Sequence, residues 1–226
     1  MKLILKHSLL VGFLLVGLFP LKAQHIDDQL WIDVNYDVRF TKKLTLNTEA
    51  ALRVARIDPN GLKVFFDPSL EYELFKNFEV GMGYRATKMP NDTPDGEQRF
   101  SSFFSYKVEF GDFDLSYRFK YQKDFPNTGT PMPQLRNRLK LGYKINKKWS
   151  AYAGSEIFYD NQETQKEFEQ LRIIGGAELD LPNGKSITLY YILRQKFNVK
   201  DPGNINVLGL SFDVGNYKKY KKDKND

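Results

Sequence analysis

The chain has 226 residues, no cysteine, 18 Phe, 13 Tyr and a formal charge of +6 at neutral pH. That length suits one large β domain or two small ones, and without cysteines an exported form relies on no disulfide. The placement of the charge argues against nucleic acid as a partner, because the net positive charge sits at the two ends of the chain. Lys2, Lys6 and Lys22 precede residue 24, five lysines lie in 217–226 against Asp223 and Asp226, and the body 24–216 is neutral. A nucleic-acid surface needs its basic face on the folded domain.

Residues 1–23 read as a secretory signal peptide. Lys2 and Lys6 form the basic region, an apolar stretch runs from Ser8 to Phe19, and Leu21-Lys22-Ala23 supplies a small-residue cleavage site before Gln24. No later stretch reaches the roughly 18 consecutive apolar residues of a transmembrane helix. The expected organisation is a signal peptide (1–23), one β-barrel domain (24–216) and a Lys-rich tail (217–226).

After the leader, apolar and polar residues alternate with period 2 along about 11 segments, the mark of strands with two unlike faces. The first, residues 29–40, sets Leu30, Ile32, Val34, Tyr36 and Val38 against Trp31, Asp33, Asn35, Asp37 and Arg39. The second, 44–56, carries Asn47, Glu49 and Arg53 on its polar face, and Asp58-Pro59-Asn60-Gly61 then turns the chain. In 62–75 the polar face holds Lys63, Asp67, Ser69, Glu71 and Glu73. Pro68 removes a ladder hydrogen bond there and marks a bulge or a weakly paired position. Segment 78–88 opposes Val80, Met82 and Tyr84 to Gly81, Gly83 and Arg85. Segments 100–110 and 113–123 form a hairpin around Gly111-Asp112, the second arm bearing Arg118 and Lys120. Another hairpin joins 135–145, with Arg136, Arg138 and Lys140, to 149–159, with Glu156, through Asn146-Lys147-Lys148. Segments 170–180 (Arg172, Glu178), 186–197 and 204–214 complete the series, the last two without a polar face of comparable charge.

Connections alternate in length: 41–43, 76–77, 111–112, 146–148 and 181–184 are tight, whereas 89–98, 125–133, 160–168 and 198–203 are longer. Short turns at one end and long loops at the other are the plan of an outer-membrane barrel with its short turns in the periplasm. The fold expected is all-β: an antiparallel up-and-down transmembrane β-barrel of ten to twelve strands, facing outer-membrane lipid in a Gram-negative envelope. Bacterial barrels normally have an even strand count, so 11 segments imply one strand split, one missed, or a first segment outside the wall. With all tight turns periplasmic, the first segment runs downward from a start that the pattern does not explain.

Several short elements together resemble DUF2490, an uncharacterised bacterial family common in Bacteroidetes. They are Trp31, the Glu49–Arg53 pair, Leu135-Arg136-Asn137-Arg138-Leu139 with Gly142-Tyr143, Trp149, Glu156-Ile157-Phe158-Tyr159, and Leu171-Arg172 with Gly175-Gly176-Ala177-Glu178. The resemblance covers nearly the whole chain after the leader. It implies an outer-membrane-type barrel and brings no activity and no ligand role with it.

Thirteen charged residues are candidates to line the lumen: Glu49, Arg53, Glu71, Glu73, Arg85, Arg118, Lys120, Arg136, Arg138, Lys140, Glu156, Arg172 and Glu178. Such charges either select an anionic solute or pair across a narrow lumen and fill it, as side chains do in small barrels; the second reading is the expected one. Barrel enzymes built on a histidine base are not anticipated, since His7 leaves with the leader and His25 is placed in an unstructured start. Glu71 with Glu73 is the remaining acid–base candidate, and a surface ion pair explains it as well. The acidic loop 91–97 lacks the spacing of an EF-hand, its twelfth position being Ser102. No cofactor or metal is expected, and the chain is read as a structural or transport-related envelope protein rather than an enzyme. The alternatives are a peripheral periplasmic barrel that binds lipid or glycan, and a carboxylate-dependent envelope enzyme.

Overall fold

The computed structural model describes residues 24–57, 61–90, 96–127, 129–162, 166–198 and 203–215. The signal peptide, the Lys-rich tail and most of the acidic loop 91–97 lie outside them. Eleven strands follow in order: β1 (Gln24–Arg39), β2 (Leu44–Ala55), β3 (Lys63–Phe75), β4 (Phe78–Lys88), β5 (Glu97–Phe110), β6 (Phe113–Pro126), β7 (Met132–Lys144), β8 (Trp149–Asn161), β9 (Lys166–Asp180), β10 (Ser186–Lys196) and β11 (Gly203–Asp213). At 11 to 16 residues each, they have the length that crosses a bilayer in tilted form. A short 3₁₀ turn, Pro182–Gly184, links β9 to β10.

Each strand pairs with its sequence neighbours, and β1 pairs with β11 to close the barrel. All neighbours are antiparallel except β1 and β11, which run parallel from Gln24↔Gly203 to Asn35↔Asp213. Eleven strands fall within the expected ten to twelve, while the one parallel ladder corrects the expectation of a wholly antiparallel wall and the reading of the odd count as a miscounted strand. No strand is split or missing, and the first segment is a wall strand. An odd number of alternating strands leaves its first and last members running the same way, so closure requires one parallel ladder. The unexplained start is accounted for by the same geometry: β1 enters at the long-loop end and β11 leaves at the short-turn end.

Two further expectations change. β1 begins at Gln24, so the backbone of His25 lies in a strand, opposite Asn204, and not in an unstructured start. β9 begins at Lys166, earlier than the alternation indicates, because the β8–β9 ladder shifts register at Phe158/Tyr159 and then continues. Pro68 behaves as anticipated. It is paired on the β2 side with Thr48, while the β3–β4 ladder skips from Phe66↔Ala86 to Ser69↔Gly83.

Residues directly opposite in a ladder share a face, so the register assigns every side chain. The outward faces are apolar and exposed from strand to strand, for example Leu30, Val34, Phe66, Leu70, Met82, Phe104, Leu115, Leu139, Ile173, Leu189 and Leu208. Charged residues appear on them only at the long-loop end: Asp28, Lys88, Lys123 and Lys166. Asn137 is a polar exception within this belt, and it accepts a hydrogen bond from its outward neighbour Tyr117 at 2.6 Å. Outward rings gather at both rims. Phe75 stacks on Phe78 at 4.6 Å and Phe113 meets Tyr143 in a tilted arrangement at 4.8 Å near the short turns. Tyr84 meets Phe100 at 5.0 Å and Tyr159 meets Phe168 at 5.3 Å near the long loops.

The inward face is mixed. Behind the β1–β11 seam, Trp31, Ile192, Ile205 and Val207 form a buried apolar cluster, with Ile174 and Tyr190 packed against it. Three inward rings lie over a glycine directly across the ladder: Phe103 over Gly81, Tyr152 over Gly176 and Tyr190 over Gly209. A missing Cβ on one strand thus makes room for a ring from the next. The remaining inward positions are mostly charged.

Candidate functional site: a divided lumen

Twelve of the thirteen candidate residues face the larger of two internal cavities. Arg118 and Lys120 from β6 and Arg136, Arg138 and Lys140 from β7 form one wall. Glu49 and Arg53 from β2, Glu71 from β3, Arg85 from β4, Glu156 from β8, and Arg172 and Glu178 from β9 line the rest. Glu73 is the exception. It shares the inward face of β3 and pairs with Glu79, but it lies beside the register shift near the turn and outside both cavities. The acid–base pairing of Glu71 with Glu73 is therefore not assembled in the lumen, and Glu71 instead meets Arg118 at 3.5 Å.

The larger cavity, about 670 Å³, lies toward the short turns, and the other, about 580 Å³, toward the long loops. Five residues border both: Trp31, Arg53, Arg85, Arg136 and Arg172. They form a septum at mid-height, and its construction follows from guanidinium chemistry. A guanidinium is flat and weakly hydrated, so it can stack on a ring with its face while its edge bonds a carboxylate. Arg53 lies 3.7 Å from the centre of the Trp31 ring and 4.4 Å from that of Phe65, and Arg85 covers Phe65 at 3.7 Å. Arg136 and Arg172 approach Phe158 at 4.6 and 4.2 Å. Each such stack contributes roughly 0.5–2 kcal/mol, more where water is excluded.

Carboxylates also stand at the guanidinium edges, although the buried Nε of Arg53 and that of Arg172 donate to no acceptor. Arg136 donates to Glu156 at 2.8 Å, and Arg172 approaches the other oxygen of Glu156 at 3.7 Å. Arg85 donates to Asp67 at 2.8 Å, and Arg53 faces Glu49 at 3.8 Å. On the long-loop side, Arg99 donates to Asp124 at 2.8 Å. Arg136 also donates to Gln122 at 2.9 Å, and Gln122 in turn donates to Gln134 at 3.1 Å. Arg194 donates to Gln29 at 3.1 Å and to Gln170 at 2.9 Å. The Trp31 indole N–H also donates to Gln29, at 3.1 Å, which fixes the ring across the lumen. Tyr190 donates its hydroxyl to Asp33, and Asn35 donates to Ser211 across the seam at 2.8 Å. Ion pairs between inward side chains are concentrated in the septum and the long-loop half, with the two cavities left between them.

The rings of the septum, Phe65 and Phe158, were not anticipated as lumen residues, and neither was Phe103. Their signal was available in the parity: each falls in the polar register of its segment. Four arginines bordering both cavities, with rings between them, depend on strand order and shear, which no single segment contains.

A family model described as a protein of unknown function, DUF2490, matches residues 28–205, and the chain belongs to that family. No curated protein matches the chain. Among solved structures, an in-vitro-folded trimer form of OmpT, an outer membrane protein of Vibrio cholerae, is similar at 14% identity and TM-score 0.39 over 71% of this chain and 58% of that one. The outer-membrane-expressed form of that protein is similar at 13% identity and TM-score 0.38 over 68% and 54%. Its loop L8 deletion mutant gives 14% and 0.39 over 72% and 59%. The chain thus spans less than two thirds of the length of each.

Proposed function

From this membership, which brings no activity with it, and from the two faces of the wall, we propose that the chain is a non-enzymatic outer-membrane β-barrel. In this reading it is exported by its leader, it faces outer-membrane lipid, and it holds a lumen closed at mid-height by the arginine–aromatic septum. It serves the envelope as a solute-holding or structural barrel and not as an open pore. The observation that carries the reading is the outward belt, apolar around the barrel and free of charge except at the long-loop end. An arginine or lysine at the bilayer midplane costs about 2–4 kcal/mol, so a wall built for lipid excludes such groups, whereas a wall built for water has no reason to. A belt of this extent also far exceeds the apolar patches that water-soluble monomers leave exposed. The septum supports the second half of the reading, since its guanidinium groups already have ring and carboxylate partners.

Cell fractionation with a heat-modifiability test decides the first half. Folded protein is expected in the outer-membrane fraction, migrating differently on gels before and after boiling. Recovery of folded protein from the soluble periplasm would overturn the reading in favour of a peripheral barrel. Planar-bilayer recording decides the second half: wild type is expected to give no steady conductance, and a stable ohmic pore would show that the septum does not close the lumen.

A further inference from the structure

Ion pairing in the lumen is uneven, and the unevenness points to a ligand. Arg53, Arg85, Arg99, Arg118, Arg136 and Arg172 each lie within 4 Å of a carboxylate. Lys120, Arg138 and Lys140 do not, although all three border the larger chamber. Among the described residues, Lys120 meets only the Phe103 ring, at 5.8 Å, and Lys140 only the Tyr152 ring, at 4.9 Å. Arg138 makes no hydrogen bond, ion pair or ring contact with any of the described residues. On the β7–β8 side Arg138 is directly opposite Glu156 but makes no ion pair with it within 4 Å; on the β6–β7 side it is directly opposite Arg118, as Lys120 is opposite Arg136. Like charges opposed in this way destabilise a sheet.

The nearest acid on these strands, Asp114, sits at the rim over Gly142 and is shared with Lys107 at 3.8 Å. Within the chamber, β6 and β7 contribute cations and no acid. The chamber's acids stand on other strands, with Asp33, Asp37 and Asp213 across the barrel on β1 and β11. Gly154, the direct ladder partner of Lys140, also borders the chamber, and its missing Cβ lets the Leu139 carbonyl and Lys140 backbone approach closely.

Half-buried cations in a confined chamber are costly unless a counter-charge reaches them. We propose that the larger chamber is a binding site for a small oxyanion, a phosphate- or carboxylate-bearing solute, held by Arg138 with Lys120 and Lys140 and entering from the short-turn end. The guanidinium fork suits a planar or tetrahedral oxyanion in bidentate fashion, and the two ammonium groups add point charges on either side. The acidic wall opposite limits the site to one anionic group and favours a solute whose far end is neutral or cationic. The proposal rests on the closed-lumen reading, because an open aqueous pore would solvate these groups without a ligand.

The test uses the full chain folded in detergent micelles, with inorganic phosphate and succinate as probes. At fixed ionic strength, both are expected to raise the thermal unfolding midpoint relative to chloride, and titration calorimetry gives the affinity. Arg138→Gln is expected to weaken binding about ten-fold or more, the loss of one charge-assisted bond, and Lys120→Gln with Lys140→Gln to weaken it further. Without the probes, these variants are expected to unfold no earlier than wild type, because they relieve repulsion. Lys196→Gln, in the other chamber, is expected to bind as wild type does. No response to either probe in wild type, an unchanged response in Arg138→Gln, or an equal loss in Lys196→Gln would each overturn the site. A protein that fails these tests while fractionating with the outer membrane and remaining non-conducting refutes the ligand alone. Conductance in the bilayer refutes the closed lumen.

Discussion

Glu156→Gln removes the charge on which the septum turns. Glu156 is 5% exposed and holds Arg136 at 2.8 Å and Arg172 at 3.7 Å, both guanidinium groups also stacking on Phe158. Removing one partner of a buried ion pair costs about 3–5 kcal/mol, because the charge left behind stays buried. Glutamine keeps the shape and one acceptor, and a neutral hydrogen bond recovers about 1 kcal/mol of that. The expected loss is therefore about 2–4 kcal/mol, read from denaturant unfolding in lipid vesicles with heat-modifiable migration as the probe of folding. Arg136→Met in the same background removes one of the two stranded cations and is expected to restore part of the loss. In planar bilayers the single variant is expected to show transient conductance as Arg136 and Arg172 lose their tether. A loss below about 1 kcal/mol, or no recovery in the double variant, would mean that Glu156 is solvated and the septum is not a closed layer.

Three other outcomes follow from the same geometry. Leu208→Arg places a charge at the middle of β11 on the outward face, where Leu208 is 52% exposed, and is expected to cost about 2–4 kcal/mol in vesicles, while Gln98→Arg near the long-loop rim costs about 0–1 kcal/mol; equal costs would argue against a bilayer around the wall. Gly209→Ala drives a methyl into the Tyr190 ring, and is expected to lower stability by about 1–3 kcal/mol and to release the hydroxyl bond to Asp33, seen as a change in tyrosine fluorescence; an unchanged unfolding curve would refute the packing. Ile32→Cys with Leu210→Cys joins direct partners across the seam in a chain that has no other cysteine, and oxidation is expected to give an intramolecular disulfide and a barrel that resists heat unfolding; no cross-link in folded protein would refute the parallel closure.

Much of this fold is legible in the sequence because a strand with lipid on one side and a lumen on the other has the simplest possible code. Leu30, Ile32 and Val34 alternate with Trp31, Asp33 and Asn35, and the parity of the chain alone assigns them to opposite faces. Turn positions are similarly local, as Gly111 with its positive φ shows. Closure is not local. Whether β1 meets β11, and in which direction, depends on the summed twist of the whole sheet, so the strand count looked anomalous until the seam was in view. The lumen charges were legible as a set and illegible as partners: Arg138 stands directly opposite Glu156 in the ladder, yet it is Arg136, opposite Phe158, that bonds Glu156 at 2.8 Å. The septum shows the same limit, since Trp31, Phe65 and Phe158 stand on β1, β3 and β8 and meet the arginines only through the barrel's curvature.

The seam also explains where the apolar core is. A parallel ladder is slightly less stable per residue than an antiparallel one, and the β1–β11 ladder joins the two strands farthest apart in sequence, which makes its loop-closure cost the largest in the sheet. Closure there needs support beyond its hydrogen bonds. The inward apolar cluster lies behind this joint: Trp31 from β1, Ile192 from β10, and Ile205 and Val207 from β11, with Val207 fully buried. Burying such side chains contributes roughly 1.5–3 kcal/mol each, enough to offset the weaker ladder. Trp31 then has two roles that cannot be separated, because the ring that backs the seam is also the ring on which Arg53 stacks. Closing the wall and closing the lumen are in this barrel one event, so a variant that loosens the seam is expected to open the septum with it.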